Sequence, residues 1–190
     1  SGNIGAPYPW TSSHTAKRMK HYILGLLAAL TMITTAAQGA VETGLGTFHS
    51  WEAYTFPTSG KTACAIWAAA TKSEGKYKKR GDVVMFVSHR PWTRQKRVHE
   101  VSFETGYTFK SDSEVTIAID KKKKFTLFTK ANTAWSRTAA DDAALVKAMR
   151  IGKVMVIRGQ SSRGTKTKDT FELFGFTAAH NAINKACGVK

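Results

Sequence analysis

The feature that most constrains the fold is a succession of short strand-like runs separated by turn residues. Val115, Ile117 and Ile119 alternate with small or polar residues, the period of two that is typical of a half-buried strand. Lys121–Lys124 and the polar run 161–168 are expected to form hairpin tips. We predict strands over Thr47–Thr55, Ala63–Ala70, Val83–Ser88, Val98–Glu104, Glu114–Asp120, Phe125–Thr129, Lys153–Gly159 and Asp169–Phe174.

Two short helices are predicted among these strands. Asp141 and Asp142 begin an alanine-rich run that ends before Gly152, so that acids lie at the helix N-terminus. A second run ends at Gly188 and is expected to be capped by Thr177. Many short strands with only two helices favour a mostly-β fold, a β-sandwich or a barrel. The predicted helices are Asp141–Arg150 and Ala178–Cys187.

Residues 17–40 have the order of charged, apolar and small residues that is typical of a secretory signal peptide. Lys17, Arg18 and Lys20 precede the uncharged run Ile23–Ala37. The run is about 15 residues long, less than the ~20 that span a bilayer, so a membrane anchor is the weaker alternative. Met19 lies where a compact signal peptide would start. We therefore expect an over-extended or non-native N-terminus at 1–18, a signal peptide at 19–40, and one domain without a membrane span at 41–190.

The chain is strongly basic. Three of its 29 Lys and Arg residues and none of its 13 Asp and Glu residues precede residue 41, which leaves 26 basic against 13 acidic residues, a formal charge of +13. Such a charge attracts polyanions, here lipopolysaccharide, anionic lipid or an anionic glycan. Export would separate the protein from nucleic acid, which we do not expect as a partner. A basic protein with no polyanion partner is the alternative.

Two basic clusters lie on either side of the strand predicted at Val83–Ser88. Arginine forks match the geometry of phosphate and carboxylate groups, and an aromatic ring can pack on a sugar or a lipid. The alternative is a pair of solvated loops with Trp92 folded onto the core. The candidate anion-binding residues are Lys76, Lys78, Lys79, Arg80, Arg90, Trp92, Arg94, Lys96 and Arg97.

Signals for an enzyme are sparse. His49, His89, His99 and His180 are far apart in the chain, and we expect them to be scattered and unpaired. The run that begins at His99-Glu100 lacks the second histidine of zinc proteases. A nucleophile elbow and a glycine-rich phosphate loop are also missing from the sequence. We therefore predict no catalytic residues, no metal site, no cofactor and no enzymatic activity.

The chain contains two cysteines, Cys64 and Cys187. In an oxidising compartment, two cysteines outside the signal peptide predict one disulfide. Two buried free thiols are the alternative.

Several segments occur in an order that resembles the invasion-associated locus B family of secreted bacterial proteins. The opening Phe48-His49-Ser50-Trp51 is similar to the family's first strand, with His49 in place of the usual glycine. Many members carry a cysteine soon after this Trp, whereas this chain has none there. The remaining segments that carry the resemblance are Phe125–Phe128, Ala134-Trp135, Asp141–Gly152, Ser161–Thr165 and Gly175–Ile183.

The resemblance implies an immunoglobulin-like β-sandwich located in the periplasm, at the outer membrane or outside the cell. It implies no catalytic residues. Some members of the family are linked to entry into host cells. It therefore leads us to expect an envelope protein that acts as an interaction or structural module, with an envelope or host-surface component as its partner.

Overall fold

The computed structural model describes residues 42–190. The predicted N-terminal extension at 1–18 and the predicted signal peptide at 19–40 lie outside these residues. The described residues form β1 (Thr43–Phe48), β2 (Trp51–Thr58), β3 (Lys61–Ala69), β4 (Lys72–Gly75), β5 (Val84–Arg90), β6 (Arg97–Glu104), β7 (Glu114–Ile119), β8 (Lys123–Lys130), β9 (Thr133–Trp135), α1 (Ala139–Ile151), β10 (Val154–Gln160), β11 (Lys166–Glu172) and α2 (Phe176–Cys187).

All of these strands belong to one antiparallel sheet in the order β1-β2-β3-β5-β6-β9-β8-β7-β10-β11-β4. The sheet folds back over itself, because strands far apart in this order touch across the core. The Trp51 indole N–H on β2 donates to the Glu172 carbonyl on β11 at 3.0 Å. The rings of Phe103 on β6 and Phe171 on β11 meet edge to face, with centroids 6.1 Å apart. The predicted mostly-β fold with two helices is confirmed, and an immunoglobulin-like sandwich describes it approximately.

Most predicted strands are confirmed with small shifts at their ends, but the single strand predicted at Thr47–Thr55 is wrong. It is the hairpin of β1 and β2, which reverses at His49 and Ser50. His49 adopts a φ of 56°, a turn conformation that its sequence neighbours do not announce. The short strands β4 and β9 were not predicted. Lys123 and Lys124, predicted as part of a hairpin tip, belong to β8.

The predicted helix at Asp141–Arg150 is confirmed and begins two residues earlier, at Ala139. Thr138 caps it: the Thr138 hydroxyl accepts from the Asp141 N–H at 3.1 Å, and the Asp141 carboxylate accepts from the Thr138 N–H at 3.1 Å. This reciprocal capping box explains why the acids stand in the first turn. Leu145 and Met149, four residues apart, are both buried against the sheet.

The second helix is confirmed, but Thr177 does not cap it. The N-cap of α2 is Gly175, with a φ of 91°, and the Thr177 hydroxyl instead donates to the Arg150 carbonyl at 2.9 Å. A side chain at Gly175 would place its Cβ against the Phe48 carbonyl oxygen, in addition to straining the backbone. This close approach seats α2 on the β1–β2 hairpin, where the buried Phe176 ring meets Trp51 edge to face at 4.8 Å.

Candidate functional site

The predicted disulfide is confirmed, and the alternative of two free thiols is wrong. Cys64 on β3 and Cys187 at the end of α2 are bonded, with Cα atoms 6.1 Å apart. The bond ties α2 to the centre of β3 and closes a segment with a sequence separation of 123 residues. In the chain-entropy account of disulfides, closing a loop of this length stabilises the folded protein by about 4–5 kcal/mol.

Three of the histidines lie together beside this disulfide, so the prediction that they are scattered and unpaired is wrong. His89 on β5, His99 on β6 and His180 on α2 form one cluster, in which His99 Nδ1 lies 3.0 Å from His180 Nε2. His89 and His180 are buried and His99 is half-buried. Sheet pairing and helix docking bring these distant residues together, which the order of residues along the chain does not indicate.

A bulge between β5 and β6 orients the side chains of the cluster. The pairing of the two strands shifts register between Ser88 and Arg90, and His99 has a φ of 60°. The His99 backbone N–H therefore meets a ring nitrogen, His89 Nδ1, at 2.9 Å. Bulges commonly redirect a side chain in this way, here turning the His99 ring toward α2.

The hydrogen-bond partners determine the tautomers of the cluster. A guanidinium can only donate, so Arg150 Nη1 donates to His180 Nδ1 at 2.9 Å and the His180 proton lies on Nε2. That proton is donated to His99 Nδ1. His89 Nδ1 accepts from a backbone N–H, so His89 Nε2 donates to Asn184 Oδ1 at 2.8 Å. All three rings are neutral in this directed chain.

The surroundings favour these neutral rings. Burial, with a smaller contribution from the nearby His99, lowers the pKa of His89 to about 4, against an opposing hydrogen bond to Asn184. Burial, the neighbouring His89 and His99, and the Arg150 cation lower the pKa of His180 to about 3. The pKa of His99 is lowered by burial and by Arg150. A proton added to the cluster would lie next to a permanent cation.

The cluster resembles a metal site in residue type but not in hydrogen bonding. One ring nitrogen from each histidine can be chosen so that all three lie within 4.8 Å of one another. Coordination through His180 Nε2 would move the ring proton to Nδ1, where it would face the Arg150 guanidinium. Both nitrogens of His89 already have partners. These residues could hold a metal such as zinc only if Arg150 moved away, and they fit a hydrogen-bonded structural cluster better.

One local signal for part of this cluster was present in the sequence. His180 and Asn184 are four residues apart in a predicted helix and so share one face. They precede Cys187 on that helix, and its partner Cys64 pairs with His89 across β3 and β5. The disulfide prediction combined with a correct strand order would have placed His89 beside α2.

The first predicted basic cluster lies along a cavity of about 510 Å³ between the segment that follows β4 and the β10–β11 turn. Lys76, Lys78 and Lys79 line it and are exposed. Arg163 from the β10–β11 turn faces them across the cavity and was missing from the predicted residues. None of the described residues that line the cavity is acidic.

Arg80 has a different environment from the lysines before it. Its guanidinium is buried and makes a two-pronged ion pair with Asp169, at 2.7 and 2.8 Å. Tyr77 and Tyr107 stack near it, with ring centroids 5.4 and 4.8 Å from the guanidinium carbon. Burial opposes its charge, but the hydrogen bond and attraction to Asp169 prevail and raise its pKa. Arg80 thus anchors the floor of the cavity.

The second predicted cluster lies at the β5–β6 connection, and none of its residues lines the 510 Å³ cavity. Glu100 partly neutralises it, with Arg90 Nη2 at 2.6 Å and Arg97 Nη1 at 3.8 Å. The remaining members of the cluster are the exposed Arg94 and Lys96 and the half-buried Trp92. The structure therefore does not bring the two clusters around one cavity.

Exposed apolar side chains occur on the adjoining segments where α1 ends and α2 begins. Phe174 is 68% exposed and Ile151 is 69% exposed. The segments that carry them are joined by a hydrogen bond from the Leu173 N–H to the Lys153 carbonyl at 2.9 Å. The Phe174 ring also stacks at 3.9 Å on the ring of His49. We call Ile151, Phe174 and the partly exposed Val154 the apolar patch.

Comparisons with known proteins agree on one family. A sequence model described as "Invasion associated locus B (IalB) protein" matches residues 51–184. The fold is similar to the crystal structure of invasion associated protein B from Bartonella henselae, with a TM-score of 0.53 and 14% sequence identity over 75% of this chain and 96% of that one. No curated protein matches the chain. Among the described residues, neither helix has the length and apolar content needed to cross a bilayer.

Proposed function

This chain belongs to the invasion associated locus B family, and we propose that it is an exported, non-enzymatic envelope protein that acts as an interaction or structural module. Its location would be the periplasm, the outer membrane or the cell exterior. Two features support export: the signal-like order of residues 17–40, and the disulfide between Cys64 and Cys187, a bond that persists in oxidising compartments.

The observation that carries the interaction role is the apolar patch. Apolar side chains scattered singly over a surface are ordinary, whereas neighbouring ones mark contact sites. Ile151 and Phe174 are large and strongly exposed, and the Phe174 ring stacks on His49 of the β1–β2 hairpin. The partner would be a component of the envelope or of a host surface.

Capture from envelope fractions tests this role. After crosslinking, the wild-type protein should capture a partner that the Ile151→Ser/Phe174→Ser variant does not capture. Phe128→Ser, a change at a half-buried aromatic of β8, should leave this capture unchanged. Equal capture by all three proteins would contradict the role of the patch.

Export is tested separately. The full chain is expressed in bacteria, and the mass of the protein recovered from the periplasm and from outside the cells is measured. We expect a mass that corresponds to the removal of about 40 residues.

The hydrogen bonds of the histidines support the prediction that the protein is not an enzyme. His89 and His180 use both ring nitrogens within the protein, so neither presents a free nitrogen to a substrate. Neither the family's name nor that of the solved structure names a reaction.

Polyanion binding is the second candidate function, and the cavity lined by Lys76, Lys78, Lys79 and Arg163 favours it. Binding of this kind would weaken as salt is raised, because exposed charges are screened. Retention of the protein on immobilised heparin or lipopolysaccharide at low and high salt measures it. Elution of the wild type at a salt concentration no higher than that of an unrelated protein of equal charge would contradict it.

A further inference from the structure

We propose that the groove between residues 76–80 and the β10–β11 turn binds an oligosaccharide that carries phosphate or sulfate groups. This inference rests on polyanion binding, the second candidate function above, and gives it a site and a ligand class. We call this groove, with its cations Lys76, Lys78, Lys79 and Arg163, the basic groove.

The basic groove is long enough for a chain rather than a single ion. Its 510 Å³ cavity continues into a second cavity of about 700 Å³. The two share Lys76, Arg163 and Thr165 as lining residues, and the second one adds Lys166. Cations therefore recur along the path, as the repeated anionic groups of a polymer require.

The charges of the groove are available to a ligand. The described residues offer no acidic partner to Lys76, Lys78, Lys79 or Arg163, all of which are exposed. Arg80 differs, because its charge is already balanced by Asp169. Its ion pair and its contacts with Tyr77 and Tyr107 hold the base of the lysine segment in place. A ligand would thus meet exposed cations above a floor that is already held in place, and this preorganisation reduces the entropy lost on binding.

The other lining groups match a sugar better than a lipid chain. Thr108 and Ser162 are exposed and Thr165 is half-buried, so their hydroxyls can pair with those of a sugar. The apolar part of the lining consists of the Tyr77 and Tyr107 rings and the stems of the cations, and no aliphatic side chain is larger than that of threonine. The groove therefore offers no aliphatic pocket for an acyl chain. Sulfated and phosphorylated sugars share the chemistry that these residues recognise.

A matched control lies elsewhere on the same protein. Lys121, Lys122, Lys123 and Lys124 are all exposed at the β7–β8 hairpin, and none of them lines either cavity of the groove. Removing these four charges lowers the net charge by as much as removing those of Lys76, Lys78, Lys79 and Arg163. A difference in affinity between the two variants would therefore be due to the position of the charges in the groove and not to the net charge of the protein.

Calorimetry in about 150 mM salt, where exposed charges are screened beyond about 8 Å, tests the site. The probe is a sulfated heparin octasaccharide, compared with its desulfated, N-acetylated form. Changing the four groove cations to Gln should weaken binding by about tenfold or more, while the four hairpin Lys→Gln changes should weaken it by less than about threefold. The desulfated sugar and inorganic sulfate alone should bind much more weakly than the probe.

A phosphate-bearing oligosaccharide released from lipopolysaccharide forms the second arm, and its affinity relative to the heparin probe identifies the source of the anion. If the quadruple groove variant loses thermal stability, Arg163→Gln on its exposed turn replaces it, with Lys122→Gln on the β7–β8 hairpin as the control.

The outcomes separate the two proposals. Equal weakening by the groove and hairpin variants, or none by the groove variant, would overturn the site and leave polyanion binding standing. Wild-type protein that binds neither charged probe would contradict polyanion binding itself. Equal binding of the sulfated and desulfated sugars would overturn the requirement for an anionic group.

Discussion

The Arg80–Asp169 pair and the histidine cluster are two buried polar regions that treat charge in opposite ways. Arg80 stays charged, because the Asp169 carboxylate and the carbonyl and hydroxyl of Thr105 accept its hydrogen bonds. His180 stays neutral, because burial disfavours its charge and its neighbours His89, His99 and the Arg150 cation disfavour it further. Burial opposes ionisation in both regions, and the difference is that Arg80 has a partner of opposite charge that offsets this cost whereas His180 has none.

The largest effect is expected from breaking the charged pair. Arg80→Met leaves the Asp169 carboxylate buried without its partner and should lower the free energy of unfolding by about 3–5 kcal/mol. Urea unfolding followed by fluorescence measures this loss. Arg97→Met, at an exposed arginine, is the matched control and should change stability by less than about 1 kcal/mol. If the free energy of unfolding fell by similar amounts in the two variants, the buried Arg80–Asp169 pair would stabilise the protein no more than an exposed arginine does.

The disulfide beside the histidine cluster gives the next largest effect. Cys64→Ala/Cys187→Ala should lower the free energy of unfolding by about 2–5 kcal/mol, because the unfolded chain gains the freedom of a long open loop. Unfolding of the wild type with and without a reductant, compared with the double variant, measures the effect. A variant as stable as the oxidised wild type would contradict this account. Thiol titration of the denatured, unreduced wild type should find no free sulfhydryl.

Lowering the pH tests the prediction that the buried histidines are neutral. The pKa values of His89 and His180 are about 4 and about 3 in the folded protein, against 6.5 ordinarily. The unfolded chain therefore takes up protons first, and stability is lost as the pH falls below 6.5, by about 1.4 kcal/mol per pH unit for each histidine. Stability measured by urea unfolding should rise with pH between 4 and 6.5.

Asp142 opposes this trend without reversing it. Burial raises its pKa to about 6 from an ordinary 3.8, despite a hydrogen bond from the Val101 N–H. Asp142 therefore favours the folded state below pH 3.8, and this contribution is lost as the pH rises through 6. Two histidines outweigh one carboxyl group in the shared range. His180→Gln should flatten the profile, because it removes one of the two histidines whose pKa is lowered in the folded protein. A flat wild-type profile would contradict the neutral cluster.

The smallest effect is expected for a charged pair that is not buried. Arg137 Nη2 lies 2.8 Å from Glu114 Oε1, with both side chains at least half exposed to solvent. A double-mutant cycle of Arg137→Gln and Glu114→Gln should give a coupling of less than about 1 kcal/mol that disappears at high salt. A coupling as large as the loss in Arg80→Met would mean that burial is not what distinguishes the two pairs.

Local patterns predicted much of the fold. Period-two alternation located β7, and Asp141 with Gly152 marked the ends of α1. The hairpin at His49 escaped prediction because its turn, His49-Ser50, contains no Gly, Pro, Asn or Asp. The break in the period of two between Phe48 and Trp51 was the local signal for it. Thr177 was misassigned as a cap because Gly175, in a left-handed conformation, begins α2 earlier to fit against Phe48.

The candidate sites, like the fold, were predicted only in part from the sequence. The basic segment at Lys76–Arg80 was evident from the sequence, but Arg163 came to face it only through the pairing of β10 with β11 and of β11 with β4. Sequence reasoning also grouped Arg80 with the exposed lysines, although its partner Asp169 lies 89 residues away. A run of like charges does not reveal which member is buried.

The sequence by itself determined the mostly-β class, the two helices, the family and the pairing of its two cysteines, because these depend on local periodicity, on the order of segments or on the number of thiols. Only the tertiary structure decided that three distant histidines share a directed hydrogen-bond chain, that Arg80 is structural and that a groove runs beside Arg163. These properties depend on strand order and on the docking of α2, which bring together residues tens of positions apart in the chain. Burial and the nearest charge then set the ionisation of each buried group.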